Sequence, residues 1–287
     1  MPHLRPSRDS IPSSLRIRTR WQLLGTSQIP ALLVHPDWSN DTAEPSAPLR
    51  SAPVMIWIHG RTASKELDPG RYLRWMRAGI AVCAVDLPGH GERFDQRSQE
   101  AESTLEVVSQ MVEEVDEVVA ALSGNEGFDG TRIALGGMSA GGMVTLARLC
   151  RRHPFRCASV EATTGSWRWQ NHRAMWNAAI SNRLNPIAHL DAPPEATPSP
   201  SGHSAHAVQT EGWRDIPLQA IHARADEWVS ITGQEEFIEA LRDRASDPDR
   251  IEFVIFDRTG APAEHIGFGT FAAEAKDRQL AFLQRWL

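Results

Sequence analysis

Ser139 stands in Gly137-Met138-Ser139-Ala140-Gly141, directly after a short strand-like run and directly before a helical stretch. A G-x-S-x-G pentapeptide by itself carries little information. Between a strand and a helix it describes a nucleophile elbow, a turn so tight that glycines must flank the serine. Such a turn lifts the hydroxyl clear of the sheet. It also aims the first N–H groups of the following helix at the spot where an oxyanion would form. The same residues could equally make a strand-to-helix turn whose serine caps the helix. The partners of Ser139 therefore decide.

A serine hydroxyl is a poor nucleophile at neutral pH and needs a base, usually a histidine oriented by a carboxylate. Pro217-Leu218-Gln219-Ala220-Ile221-His222 reads as a strand, and Asp226 falls in the loop just past it. Ile251-Glu252-Phe253-Val254-Ile255-Phe256 reads as another strand, with His265 in the loop that follows, before a glycine-containing link into the last helix. In a parallel sheet such loops open at one edge, so Ser139, Asp226 and His265 can meet although they lie far apart in sequence. Upstream, Val54-Met55-Ile56-Trp57-Ile58 is a continuous apolar run, as expected for a strand buried on both faces. It ends in His59-Gly60-Arg61. His59 reads as a structural residue shaping its loop through the ring nitrogens.

The elements that must hold these loops alternate between strand and helix. Residues 15–24 and 29–35 read as an opening β-hairpin, turning at Gly25-Thr26-Ser27. Residues 37–52 are a polar surface loop rich in Pro, Ser and Asp. After the apolar strand, residues 72–78 suggest a short helix and 80–85 the next strand. Leu105, Val108, Val112, Val115, Val119 and Leu122 recur at spacings of three and four, marking an amphipathic helix that faces the sheet. Residues 140–152 continue from the elbow as a helix, 158–160 resume the sheet, and 271–287 form the closing helix. This pattern is an α/β class with a mostly parallel central sheet and helices on both faces.

The chain has 287 residues, 41% of them hydrophobic, and no apolar run of transmembrane length. One domain over residues 1–287 with a substantial core is expected. A net charge of −6 without a long single-sign block argues against nucleic acid or membrane partners. Lys65 and Lys276 are the two lysines among 30 basic residues, which reads as codon bias rather than phosphate recognition. The basic N-terminus is not followed by the apolar core of a signal peptide. Cys83, Cys150 and Cys157 are odd in number and lack metal-like spacing, so a cytoplasmic location is expected. No metal or organic cofactor is implied.

Several segments together carry a resemblance. His59-Gly60 with Ser64-Lys65-Glu66, then Asp86-Leu87-Pro88-Gly89-His90-Gly91-Glu92-Arg93, the serine elbow and residues 222–229 resemble the α/β-hydrolase superfamily. Within it they are most similar to dienelactone hydrolase-like and prolyl oligopeptidase-like serine esterases and peptidases. The likeness runs from about Ile29 to the C-terminus. It implies an α/β-hydrolase fold, Ser139 as nucleophile, Asp226 as orienting acid and His265 as base, in the chain order of that superfamily. It also implies an oxyanion hole built from the amides of Arg61 and Ala140. Glu161 follows the strand after the elbow, where some hydrolases of this fold carry the acid, and is the competing carboxylate. The match departs in places. His222-Ala223 stands where such families usually have His-Gly, and Ser230 where proline often follows the valine. Dienelactone hydrolase proper uses a cysteine nucleophile, so the serine points to an esterase.

Residues 163–213 interrupt the alternation and are too long for a plain crossover. At this point of such a chain they would form a cap insertion over the active site. Trp167, Trp169, Met175 and Trp176 crowd its first part, and Trp167, Trp169 and Trp176 are the expected substrate-binding residues. They could instead bury the insert against the core. Residues 193–202, rich in proline, should be irregular. His203 and His206 read as exposed loop residues, since His172, His189, His203 and His206 lack a compact metal spacing. The expected function is a serine carboxylesterase acting on a small-molecule ester. A peptidase of the same fold and a non-catalytic hydrolase-fold binding protein are the rival readings, and a homo-oligomer stays open.

Overall fold

In a computed structural model that describes residues 8–39, 49–191 and 212–287, the strands follow the apolar runs. They are β1 (Thr19–Leu24), β2 (Ile29–Val34), β3 (Ala52–Ile58), β4 (Ala81–Val85), β5 (Phe128–Met138), β6 (Cys157–Glu161), β7 (Leu218–Ala223) and β8 (Ile251–Phe256). They form one sheet in the order β1-β2-β4-β3-β5-β6-β7-β8. The β1–β2 and β2–β4 pairings are antiparallel, and every pairing from β4 to β8 is parallel. This is the α/β-hydrolase sheet. The C-terminal ends of β5, β7 and β8 therefore share one edge.

Seven α-helices accompany it among the described residues: α1 (Ser13–Arg16), α2 (Pro69–Arg77), α3 (Thr104–Ser123), α4 (Ala140–Leu149), α5 (Ala178–Leu184), α6 (Ile231–Arg242) and α7 (Ala272–Trp286). β3 shows why its sequence reads as uninterrupted apolar. Val54, Ile56 and Ile58 belong to one core cluster with residues of α3, α4 and α6, whereas Met55 and Trp57 belong to a second with Trp75 of α2 and Phe282 of α7. Successive side chains of a strand point to opposite faces, and here both faces are covered. The α3 stripe is buried at Leu105, Val108, Val112, Val115 and Leu122, while Val119 is half-buried against the same core. Each such side chain contributes about 1.5–3 kcal/mol on burial.

Two sequence readings need amendment or fall outside. The first half of the expected opening strand is the helical turn α1, which starts after Pro12 and buries Leu15; Thr19 Oγ1 donates to the Leu15 carbonyl at 2.8 Å and the strand begins there. Proline's fixed φ suits the entry to a helical turn. Most of the polar 37–52 loop, the proline-rich 193–202 stretch, His203 and His206 lie outside the described residues. No helix among the described residues is long and apolar enough to cross a membrane.

Candidate active site

The elbow forms where β5 runs into α4. Ser139 has φ 52° and ψ −115°, a strained backbone for a residue with a side chain. Its N–H donates to the Glu161 carbonyl at 2.9 Å, and its carbonyl accepts from Met143 N at 2.9 Å and Thr163 Oγ1 at 2.8 Å. The flanking glycines are steric necessities. A Cβ on Gly137 would lie 2.5 Å from the Gly141 backbone, and one on Gly141 would lie 2.1 Å from the Ile58 carbonyl oxygen. The turn can therefore press against the end of β3 only without side chains at those positions.

The structure brings Ser139, Asp226 and His265 together. His265 Nε2 is 2.9 Å from Ser139 Oγ, and His265 Nδ1 is 2.8 Å from Asp226 Oδ2. The other carboxylate oxygen accepts the amides of Trp228 and Val229, each at 2.8 Å, and the Asp226 side chain is wholly buried. An ionised carboxylate only accepts, so the Nδ1 proton faces Asp226 and Nε2 is left to accept the serine proton. His222 Nε2 donates to the Val229 carbonyl at 2.9 Å and lies 3.5 Å from Asp226 Oδ2, closing the acid loop on the strand that precedes it. Burial lowers the pKa of His222, so it sits in this loop as a neutral ring. The histidine loop is also tied down. Ala263 and Glu264 adopt φ near +50°, and the Glu264 carboxylate accepts from Thr259 N, Thr259 Oγ1 and Gly260 N at 2.6, 2.7 and 3.1 Å.

Glu161, the competing carboxylate, is engaged elsewhere. Arg71 holds it through two hydrogen bonds of 2.5 and 2.8 Å, with the guanidinium stacked 4.4 Å over the Trp57 ring. Since the Glu161 backbone carbonyl bonds Ser139 N, this buried pair anchors the elbow from beneath. His59 has both ring nitrogens occupied: Nδ1 donates to the Gly60 carbonyl at 2.7 Å and Nε2 accepts from Leu87 N at 3.1 Å. It shapes the loop after β3. That loop runs close to the serine, because a Cβ added to Gly60 would stand 3.3 Å from Ser139 Cβ. Arg61 in the loop and Ala140 at the first position of α4 both line the cavity with Ser139, and among the described residues no protein acceptor meets either amide. Beneath the loop, Asp86 accepts from Lys65 N, Lys65 Nζ and Glu92 N at 2.9, 2.7 and 2.9 Å. Burial pushes the Asp86 carboxyl up, and the groups donating to it, the Lys65 ammonium above all, more than offset that, to about 2.

Ser139 and His265 open on a cavity of about 880 Å³. Trp167, Trp169 and Trp176 do not line it, which corrects the sequence reading. Trp167 is fully buried in the core, Trp176 packs half-buried against that core, and Trp169 is an exposed ring whose Nε1 donates to Glu236 at 2.8 Å. The cause is the docking of residues 165–170 on α6, where Gly165 N donates to Gln234 Oε1 at 3.0 Å. This turns the indoles into the core and out over the helix. The cavity is lined instead by Met175, Arg173 and Gln170 of the same segment and by Trp228 of the acid loop. The Trp228 ring lies 4.9 Å from the His265 ring. Leu67, Phe94, Trp228 and Ile266 are exposed and all four border the cavity, giving it an apolar rim. Among the described residues no cluster of His, Cys, Asp or Glu could hold a metal ion, and the three cysteines are buried thiols whose pKa values burial raises.

A serine on a strained turn after a central parallel strand, in reach of a histidine brought from a later strand end, belongs to the chemistry of the α/β-hydrolase superfamily, and this protein is a serine hydrolase of that fold. More narrowly, the chain belongs to the prolyl oligopeptidase family, whose family model matches residues 70–287. Among curated proteins it is similar to the esterase YjfP of Escherichia coli (strain K12), with 28% identity over 134 residues, 46% of this chain and 51% of that one. The match thus spans about half the length of that relative. Among solved structures, TT1662 from Thermus thermophilus is similar at 20% identity with a TM-score of 0.66, covering 94% of this chain and 98% of that one. Porphyromonas gingivalis dipeptidyl peptidase 4 is similar at 21% identity and a TM-score of 0.66, covering 94% of this chain but 35% of the peptidase. These two structures speak for the fold.

Proposed function

We propose that the protein hydrolyses carboxylic esters of small molecules through an acyl-enzyme on Ser139. The observation that carries this reading is the unbroken chain of hydrogen bonds from Ser139 Oγ through His265 to Asp226, opening on the cavity. His265 Nε2 takes the hydroxyl proton as Oγ attacks the ester carbonyl, and Asp226 stabilises the imidazolium that results. The amides of Arg61 and Ala140 receive the oxyanion. His265 returns its proton to the departing alcohol, and water activated by the same nitrogen then releases the acid. The described part of the insertion, residues 163–191, is read as a cap within one α/β-hydrolase domain, a reading supported by Gln170, Arg173, Ala174 and Met175, which border the cavity from that segment. The apolar rim supports a substrate with an apolar body. An ester rather than a peptide is favoured by the esterase YjfP likeness, whereas the family name and the dipeptidyl peptidase likeness favour amide cleavage. The test is fluorophosphonate labelling followed by parallel assays on p-nitrophenyl esters and on aminoacyl p-nitroanilides. Stoichiometric labelling lost in Ser139→Ala, with the esters turned over faster, supports the proposal. Labelling with anilides preferred would assign a peptidase, and no labelling would assign a binding protein.

A further inference from the structure

Charge inside the cavity is unbalanced in one place. Glu66 and Glu92 border it and, with the buried Asp86, share Lys65, whose Nζ lies 3.0, 2.9 and 2.7 Å from Glu66, Glu92 and Asp86, while Arg8 lies 3.5 Å from Glu92. Arg61 and Arg173 border the same cavity, half-buried, and among the described residues no carboxylate lies within ion-pair distance of either. Their anchors are neutral. Arg61 donates to the Gln99 carbonyl at 2.7 Å, and Arg173 donates to Gln170 Oε1 at 3.2 Å and to the Trp228 carbonyl. A guanidinium has five N–H donors, so such anchors fix each group in place without neutralising it or exhausting its donors. Burial, and then the charge of Arg61, lower the pKa of Arg173, and the Asp226 carboxylate offsets this only in part. Two like charges held in a half-desolvated cavity are costly unless an anion joins them.

We infer that Arg61 and Arg173 form an anion subsite and that the preferred substrates are esters carrying a carboxylate or phosphate on an apolar body. The inference rests on the esterase reading and names its substrate class. Trp228 joins the two features. Its carbonyl fixes Arg173, its ring borders the cavity beside His265, and its amide bonds Asp226. The apolar rim would hold the body of such a substrate while the arginines take its charged end. Charge-assisted hydrogen bonds to a partly desolvated guanidinium should be worth about 10- to 100-fold in kcat/KM.

The test compares kcat/KM for 4-acetoxybenzoate, 4-acetoxyphenyl phosphate and the neutral methyl 4-acetoxybenzoate in the wild type, Arg173→Gln, Arg61→Gln and the double variant. Intrinsic reactivity cancels when the anionic-to-neutral ratio is compared between proteins. The ratio should fall about tenfold or more in each single variant and further in the double. The anion with the larger fall identifies the charged group recognised. In Arg173→Glu the preference should pass to the neutral ester. Ratios unchanged in all variants, with the neutral ester still hydrolysed, would overturn the anion subsite and leave the esterase reading intact. Calorimetric titration with 4-hydroxybenzoate and 4-hydroxybenzamide separates the opposite failure. Arg173-dependent binding of the benzoate, in a protein that cleaves none of the esters, would uphold the subsite and remove the esterase reading.

Discussion

Replacing Asp226 by asparagine changes one atom and should reverse the proton order of the whole relay. Oδ1 accepts two backbone amides, from Trp228 and Val229, and Oδ2 accepts His265 Nδ1. An asparagine has one oxygen for these two places. The oxygen must stay with the two amides, since turning it would set an NH₂ group against two N–H donors in a wholly buried position. The NH₂ then faces His265 Nδ1 and makes that nitrogen the acceptor. The ring proton moves to Nε2, where it points at Ser139 and blocks proton removal. Loss of imidazolium stabilisation adds to this. A change of tautomer of this kind costs on the order of 10⁴ in kcat, or about 5.5 kcal/mol of barrier. The assay is kcat for p-nitrophenyl acetate on folded variant, with circular dichroism and melting temperature matched to wild type. A loss below tenfold would show that Asp226 does not set the His265 tautomer. Glu161→Gln is the control: its carboxylate serves Arg71, which keeps Asp68 at 3.0 Å, so weakening that buried pair should lower stability by about 1–3 kcal/mol and reduce kcat per folded molecule less than Asp226→Asn does.

The tryptophans should separate by location. Trp167→Ala should lose about 3–5 kcal/mol of stability without altering acyl-length preference, whereas Trp228→Ala should shift preference among esters by about 1–3 kcal/mol; selectivity changes confined to Trp167 or Trp169 variants would contradict the placement. Gly141→Ala forces a Cβ to within 2.1 Å of the Ile58 carbonyl oxygen, so it should cost about 1–3 kcal/mol or more and slow fluorophosphonate labelling; wild-type melting and labelling would show that the elbow does not press on β3. Asp86 titrates at about 2 in the folded protein, below the unfolded value of about 3.9. Its contribution is therefore complete above pH 4 and is lost as pH falls towards 2. Melting temperature should fall more steeply between pH 4 and 2 in the wild type than in Asp86→Asn, and equal slopes would remove Asp86 from the acid response.

The central strands were legible because burial on both faces leaves no polar alternation, so β2, β3 and β4 read as apolar runs. The meeting of Ser139, Asp226 and His265 followed from that, since parallel strands place their following loops at one edge. The tryptophans of 163–213 show where sequence falls short. Composition marks a residue as apolar, and a core wall and a pocket wall want the same type; only the docking of residues 165–170 on α6 distinguishes them. Trp228 carried a usable signal, because it stands two residues beyond Asp226 in a loop that must wrap the carboxylate. Arg173 offered none, because Arg168 is an equal cation in the same stretch and only the fold turns one to Glu236 and the other to the cavity. The Arg71–Glu161 pair had none, for its partners are 90 positions apart and lie on a helix and a strand that the sequence does not align. Residues 15–18 misled for a local reason: alternating apolar and basic residues suit a strand, yet Pro12 starts a helical turn before them.

The proposed reaction depends on Ser139 carrying the acyl group. Rapid-quench mass spectrometry during turnover of p-nitrophenyl acetate tests it most directly, with the peptide spanning the elbow sequenced afterwards. Ser139 in the wild type should gain the mass of one acetyl group, accumulating in the burst phase and absent from Ser139→Ala. Turnover of the ester with no acylated serine at any quench time, or with equal turnover by Ser139→Ala, would contradict it.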